Sequence, residues 1–132
     1  MTGHVTIREV ADHFKVPLST LHYWERRGLI TPERRSRQRV YDADQVYRIA
    51  LIDIWRRTGR LSIEEIAELL AADDHWRSRV DRQVAAVDAQ LADLERARAY
   101  LVHLRTCAHG PALERCPEFR AGISVPASLF ST

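Results

Sequence analysis

The stretch that decides the fold is "STLHYWERRGLITPERRSRQRVY", residues 19–41. Its first half contains helix-forming residues and two aromatics, and its second half carries a proline and four arginines. Gly28 is placed to end a helix, whereas the proline and the β-branched Ile30 and Val40 favour an extended segment. We therefore predict a helix followed by a short hairpin, the wing, whose tip lies near residues 34–37.

A further helix is predicted immediately before this stretch. Thr6 and Glu9 have the spacing of a capping box, which predicts a helix over residues 7–14. Pro17 can open the next helix, because N–H groups in the first turn have no partner within the helix and the N–H that proline lacks is not needed there. That helix should run to Arg27. Two short helices joined by a tight turn and followed by a hairpin indicate a winged helix-turn-helix.

Three more helices are predicted downstream. Asp42 with Gln45 and Ser62 with Glu65 again have cap spacing, so each pair marks a helix start. Residues 74–106 contain no proline or glycine, which predicts one long helix of about 50 Å. The fold class is therefore mainly α.

The long helix carries a narrow apolar seam. Its apolar residues recur at alternating steps of four and three, the spacing typical of a coiled coil. The predicted dimerisation residues are Val80, Val84, Val87, Leu91, Leu94 and Leu101. A helix this long outruns the small domain before it, so we predict a homodimer. The spacing alone allows either helix direction, and we adopt an antiparallel coiled coil as the working fold.

Charge is divided unevenly along the 132 residues, although the net charge is only +2. Residues 1–60 contain 12 Arg and Lys against 7 Asp and Glu, whereas residues 61–132 contain 8 against 11. The basic half is the candidate for a polyanionic partner, and a merely solvated arginine-rich surface is the alternative.

Other classes of protein are disfavoured. The apolar runs are too short for a membrane span or a signal peptide, so we expect a cytoplasmic protein with no membrane partner. The five glycines are widely spaced and form no phosphate-binding loop, and no nucleophile is paired with a base. We therefore predict that the chain is not an enzyme.

The segment "TIREVADHFKVPLSTLHYWERRGLITPERRSRQRVYDADQVYRI" resembles the DNA-binding domain of the MerR family of winged-helix transcription regulators. Members carry the pattern "TLRYYE..GL..P.R......YR.Y", then a second helical pair and a long dimerisation helix. His22 stands where arginine is usual, and Arg37 and Gln38 replace the usual wing glycine and tyrosine. The resemblance implies a homodimer on double-stranded promoter DNA that changes the DNA conformation in response to an effector, so that RNA polymerase can engage the promoter.

The candidate DNA contacts lie on the second helix and the wing. A helix in the major groove needs small polar side chains facing the bases and cations flanking it. The candidates are Ser19, Thr20, His22, Tyr23, Arg26, Arg34, Arg35, Arg37, Arg39 and Tyr41. The resemblance implies that Ser19 and Thr20 lie nearest the bases, and that Tyr23, Arg39 and Tyr41 contact the DNA backbone. Core packing is the alternative for Tyr23.

The predicted domains are a DNA-binding domain at 1–72, a dimerisation helix at 73–106 and an effector loop and tail at 107–132. Cys107 and Cys116 lie in the last segment with a Gly-Pro turn between them, so a loop could bring both sulfurs together. With no export signal, we expect them to be reduced thiols rather than a structural disulfide.

The cysteine loop also resembles the metal-binding loop of copper- and zinc-sensing members of the family. Two thiolates suit Cu(I) or another soft ion. Zinc and mercury sensors usually have a further cysteine near the start of the long helix, which this chain lacks, so monovalent sensing is favoured. The alternatives are a thiol-redox switch, an incidental cysteine pair, an unknown small-molecule signal, and a non-regulatory architectural DNA-binding protein.

Overall fold

The structure is a computed structural model that describes residues 3–130, and it is mainly helical as predicted. The helices are α1 (Ile7–Phe14), α2 (Leu18–Arg26), α3 (Ala43–Arg57), α4 (Ile63–Leu70), α5 (Trp76–Arg105) and α6 (Pro117–Ala121), and the strands are β1 (Val5–Thr6), β2 (Glu33–Arg35) and β3 (Gln38–Tyr41). Single 3₁₀ turns lie at Leu113–Arg115 and Ala127–Phe130. The outermost residues of the predicted first and last domains, 1–2 and 131–132, lie outside the described residues.

Two helices begin with the capping boxes that the sequence predicts. The N–H of Glu9 donates to Thr6 Oγ1 at 3.2 Å, and the N–H of Thr6 donates to Glu9 Oε1 at 3.3 Å. Ser62 and Glu65 form the same reciprocal pair at 3.1 and 3.2 Å. Each pair satisfies two backbone donors that a helix start would otherwise leave without partners, so α1 and α4 begin where predicted.

The starts of α2 and α3 differ in detail from the prediction. Pro17 is the N-cap of α2 and not its first residue, so this helix begins at Leu18. Asp42 caps α3 by accepting the N–H of Gln45 at 2.8 Å. The side chain of Gln45 does not complete a box but accepts the N–H of Thr31 at 2.7 Å, which ties α3 to the chain entering the wing.

The three strands form one antiparallel sheet in the order β1-β3-β2. The hairpin of β2 and β3 is the predicted wing, with Arg34 paired to Arg39 and its turn at Ser36 and Arg37. These two turn residues have φ values of 50° and 67°, as a type I′ turn requires. The wing turn is therefore tight even though arginine replaces the usual glycine. The two-residue strand β1 was not predicted.

One hydrophobic core holds α1 to α4 and the sheet together. Its most deeply buried members are Val10, Leu21, Trp24, Ile30, Tyr41, Ile49, Ile52 and Ile66. Each such side chain contributes about 1.5–3 kcal/mol by leaving water. This core fixes the position of α2 relative to the wing.

The chain divides into two compact units between Gln83 and Val84, within α5. At 30 residues, α5 is about 45 Å long, and all of it lies in the described part of the chain. None of its residues is buried. Neither α5 nor any other helix among residues 3–130 is long and apolar enough to cross a membrane.

Candidate nucleic-acid interface

The second helix presents a polar surface opposite the core. Leu21 and Trp24 are buried at 0% and 1% exposure, which fixes the inward face of α2. Ser19 is exposed in its first turn, Thr20 is partly exposed, and Arg26 is exposed near its end. Short polar side chains at the start of a helix and a cation near its end suit the edges of bases and phosphates, respectively.

Tyr23 lies partly exposed on the same helix, between two arginines. Arg27 Nη1 donates to the Tyr23 hydroxyl at 3.2 Å and to Glu64 Oε1 at 3.1 Å. The guanidinium groups of Arg26 and Arg27 lie 5.8 and 5.9 Å from the ring centroid. Because the tyrosine oxygen accepts from Arg27, its own proton remains available for a phosphate oxygen. The sequence did not predict a role for Arg27 in orienting Tyr23, because its other partner, Glu64, is 37 residues away in the chain.

The tip of the wing carries exposed cations. Arg34, Arg35 and Arg37 are all exposed. Arg35 lies 3.7 Å from the Glu33 carboxylate, whereas Arg34 and Arg37 form no ion pair with any residue in the described part of the chain. At least two cations of the wing are therefore left for an outside anion.

Arg39 is held within the protein. Its guanidinium donates to both oxygens of Glu25, with Nε–Oε1 at 2.9 Å and Nη2–Oε2 at 3.2 Å. The two side chains are only 25% and 27% exposed. The hydrogen bond from Arg39 lowers the pKa of the Glu25 carboxyl, and the charges of Arg39 and Arg34 lower it further. His22 is half-buried and lies on the same helix, three residues before Glu25.

Tyr41, a predicted contact to the DNA backbone, is buried in the core and presents almost no surface to an outside partner. Its side chain is 1% exposed, and its hydroxyl is buried with no hydrogen-bond partner among residues 3–130. Burial raises the pKa of this hydroxyl, and the charge of Glu25 raises it further. Tyr41 is part of the hydrophobic core. Its strand β3 pairs it with Val5 of β1, the strand that the sequence did not predict.

The cysteine loop follows α5. Cys107 is half-buried and Cys116, directly before α6, is buried; both are free thiols. Cys107 Sγ accepts the N–H of His109 at 3.3 Å, and the two thiols lie close enough to affect each other's pKa. Both cysteines therefore lie in the segment between the end of α5 and the start of α6.

The two thiols differ in acidity. The pKa of Cys116 is lowered, chiefly by a hydrogen bond from the N–H of Phe119 and further by Cys107. Together these effects outweigh burial, which raises the pKa. The N–H of His109 lowers the pKa of Cys107, but burial and the neighbouring Cys116 outweigh it, so the net shift is upward. Cys116 is therefore the more acidic thiol of the two.

Aromatic contacts hold α6 against the end of α5. The ring of Phe119 meets His103 edge-on at 5.0 Å and Tyr100 at 6.5 Å between centroids. Glu118 lies 4.0 Å from His103. No group of three or more His, Cys, Asp or Glu that could hold a metal occurs among residues 3–130.

The apolar seam of α5 is open to solvent in the single chain. Its exposed residues are Val80, Val84, Leu91, Leu94 and Leu101, and Val87 is half-buried. Leu94 is 67% exposed and Leu101 61%. Apolar side chains this exposed at coiled-coil spacing are the pattern of a helix that lacks its partner.

Comparison with known proteins decides the family. The family described as "MerR HTH family regulatory protein" matches residues 5–73, and "MerR, DNA binding" matches residues 46–104. The chain belongs to the MerR family. MerR-family proteins are transcription regulators that bind promoter DNA and are not enzymes, so the predicted family and general function are confirmed.

Known relatives agree with this assignment. The chain is 32% identical over 121 residues to the HTH-type transcriptional regulator HmrR of Rhizobium leguminosarum bv. viciae, covering 86% of this chain and 93% of that protein.

Two solved structures share the fold. The regulator PbrR691 from Ralstonia metallidurans CH34, in complex with lead(II), has a TM-score of 0.66 at 22% identity and covers 90% of this chain and 99% of its own. HiNmlR, a MerR family regulator lacking the sensor domain and bound to promoter DNA, has a TM-score of 0.56 at 20% identity, covering 80% and 89%.

Proposed function

We propose that this MerR-family chain acts in the cytoplasm as a homodimer on double-stranded promoter DNA, and that its cysteine pair senses a soft metal ion. On the DNA, α2 enters the major groove with Ser19 and Thr20 towards the bases. Tyr23 and the free cations of the wing meet the phosphates. The observation that carries the DNA contacts is the pair Arg34 and Arg37, exposed and without an ion-pair partner in the described chain.

The exposed seam of α5 supports the homodimer. An antiparallel partner helix would cover the row of apolar residues from Val80 to Leu101, which otherwise faces water. A dimer also presents two recognition helices and two wings to one duplex, as a pseudo-palindromic site requires. Bending such a site costs of order 1–6 kcal/mol, and contacts from two wings offset that cost. RNA polymerase then responds to the altered DNA conformation.

The cysteine pair supports a dithiolate metal site. Both cysteines lie in the short segment after α5, and a two-sulfur set suits a monovalent soft ion such as Cu(I) better than zinc, which takes four ligands. The lowered pKa of Cys116 makes it the thiol that gives up its proton more readily to a metal ion. An ion bound here would be held by the sulfurs of Cys107 and Cys116, each of which would give up its proton to act as a thiolate ligand.

The metal proposal is tested by titrating reduced protein with Cu(I) against a competing chelator. We expect about one ion per chain. Cys107→Ser or Cys116→Ser should abolish both binding and the transcriptional response, yet leave DNA binding intact. His109→Ala is the matched control, because His109 contacts Cys107 through its backbone N–H and its side chain should be dispensable.

Other results would redirect the proposal. If the serine variants lose a response to oxidant but not to metal, the pair is a redox switch, which two adjacent thiols of unequal pKa also permit. If both variants respond fully to the natural inducer, the effector binds elsewhere. The apolar groove of about 570 Å³ lined by Trp55, Leu61, Leu69, Ala72, Trp76 and Val80 would then be the next candidate.

A further inference from the structure

The ion pair between Glu25 and Arg39 joins α2 to the wing, the two elements proposed to bind DNA. Glu25 lies near the end of α2, and Arg39 lies in β3 of the wing, 14 residues further along the chain. The guanidinium donates to both carboxylate oxygens, a geometry that fixes orientation as well as distance. Both side chains are about three-quarters buried, so solvent screens the pair less than an exposed one.

An acidic residue at this position needs an explanation, because a carboxylate next to DNA repels phosphates. Glu25 lies three residues after His22 on α2, and its partner Arg39 is paired with Arg34 across the hairpin, so it lies among residues proposed to face the duplex. Without Arg39, its charge would be uncompensated there. With Arg39, the pair is neutral, and the arginine has fewer donors left for a phosphate.

We propose that Glu25 is a positioning residue for DNA binding: it holds Arg39, and through it strand β3, at a fixed place against the recognition helix. Arg34, which pairs with Arg39 across the hairpin, and Arg37, in the turn, are thereby set at the spacing that lets helix and wing engage one duplex together. Arg39 then acts through Glu25 and not as a phosphate contact. This inference rests on the proposed placement of α2 and the wing on DNA.

The sign of one substitution separates the two roles of Arg39. Glu25→Gln removes a negative charge, which by itself should strengthen binding to a polyanion. If Arg39 contacts phosphate, this change also frees its guanidinium, and affinity rises or stays the same. If Glu25 positions the wing, affinity falls roughly tenfold, the effect of losing one charge-assisted hydrogen-bonded contact.

The experiment measures binding of the purified dimer to a duplex that wild-type protein selects from randomised DNA, at several salt concentrations. The variants are Glu25→Gln, Arg39→Gln, both together, Arg39→Glu alone, and the reversed pair Glu25→Arg with Arg39→Glu. Asp93→Asn is the matched control: it makes the same charge change in an exposed ion pair, with Arg96 on α5. It should leave affinity unchanged.

A positioning role predicts that either glutamine substitution and the double variant lose affinity to a similar extent, because each removes the same restraint. The reversed pair should recover to within about threefold of wild type. A phosphate role predicts instead that Arg39→Gln lowers the salt slope by about 0.9 while Glu25→Gln does not weaken binding. The proposal is overturned by that result, or by a folded reversed pair that binds no better than Arg39→Glu alone.

Two controls keep the result interpretable. Thermal unfolding shows whether each variant is folded, and the reversed pair supplies a second test if a single variant is not. Arg34→Ala and Arg37→Ala test the interface itself. If neither weakens binding, the proposed DNA placement fails; if both do and Glu25→Gln does not, only the positioning role fails.

Discussion

Arg37→Gly should stabilise the protein and lower its affinity for DNA. Arg37 has a φ of 67°, in the left-handed region that costs an L-residue with a Cβ about 1–2 kcal/mol. Glycine removes this strain but loses about 0.5–1 kcal/mol of conformational entropy on folding. The net gain expected is roughly 0.5–1 kcal/mol, or a rise in Tm of a few degrees.

Arg35→Gly is the matched control for this change. Arg35 is also exposed and lies two residues away, but in strand β2 and without a positive φ. The same substitution there relieves no strain and should lower stability by about 0.5–1 kcal/mol. The two variants lose the same charge, so both should weaken DNA binding and flatten its salt dependence.

The assay is thermal unfolding of the three proteins at equal concentration, together with DNA titration in two salt concentrations. Opposite signs of the stability change at the two positions are the expected result. A loss of stability for Arg37→Gly as large as that for Arg35→Gly would refute the reasoning, because the turn would then not be strained in solution.

Three further predictions concern the seam, the core and the ion pair. Changing Leu91 and Leu94 together to Asp should place charges in the seam and dissociate the dimer, and an unchanged sedimentation coefficient would contradict the seam assignment. Tyr41→Phe removes a buried hydroxyl without a partner, so the free energy of unfolding should rise or stay level and DNA affinity should not change; a weakened complex would return Tyr41 to the DNA contacts. The pKa of Glu25 is lowered, so its stabilising contribution is fully present above the unfolded value of about 4.3 and is lost as pH falls through the lower folded value. Wild type and Glu25→Gln should therefore differ in unfolding free energy at neutral pH and converge in acid, and a constant difference down to about pH 2 would count against the pair.

What the sequence could predict rests on interactions between near neighbours in the chain. The capping boxes of Thr6 and Ser62 join residues three positions apart, so their helix starts can be read without any tertiary information. The glycine after α2 and the seam of α5 are likewise local patterns. Together with the arginines of the wing they were enough to predict the winged helix-turn-helix, the long helix and the family.

The tertiary structure decided the features that depend on distant partners. The Ser36 and Arg37 turn lacks the usual Asn-Gly signal and takes its shape from the pairing of β2 with β3. Tyr41 matches the family pattern in sequence, but the core covers it. The roles of Glu25 and Arg39 follow from a contact across 14 residues. Such contacts depend on how the core packs, and a pattern of neighbouring residues carries no record of that packing.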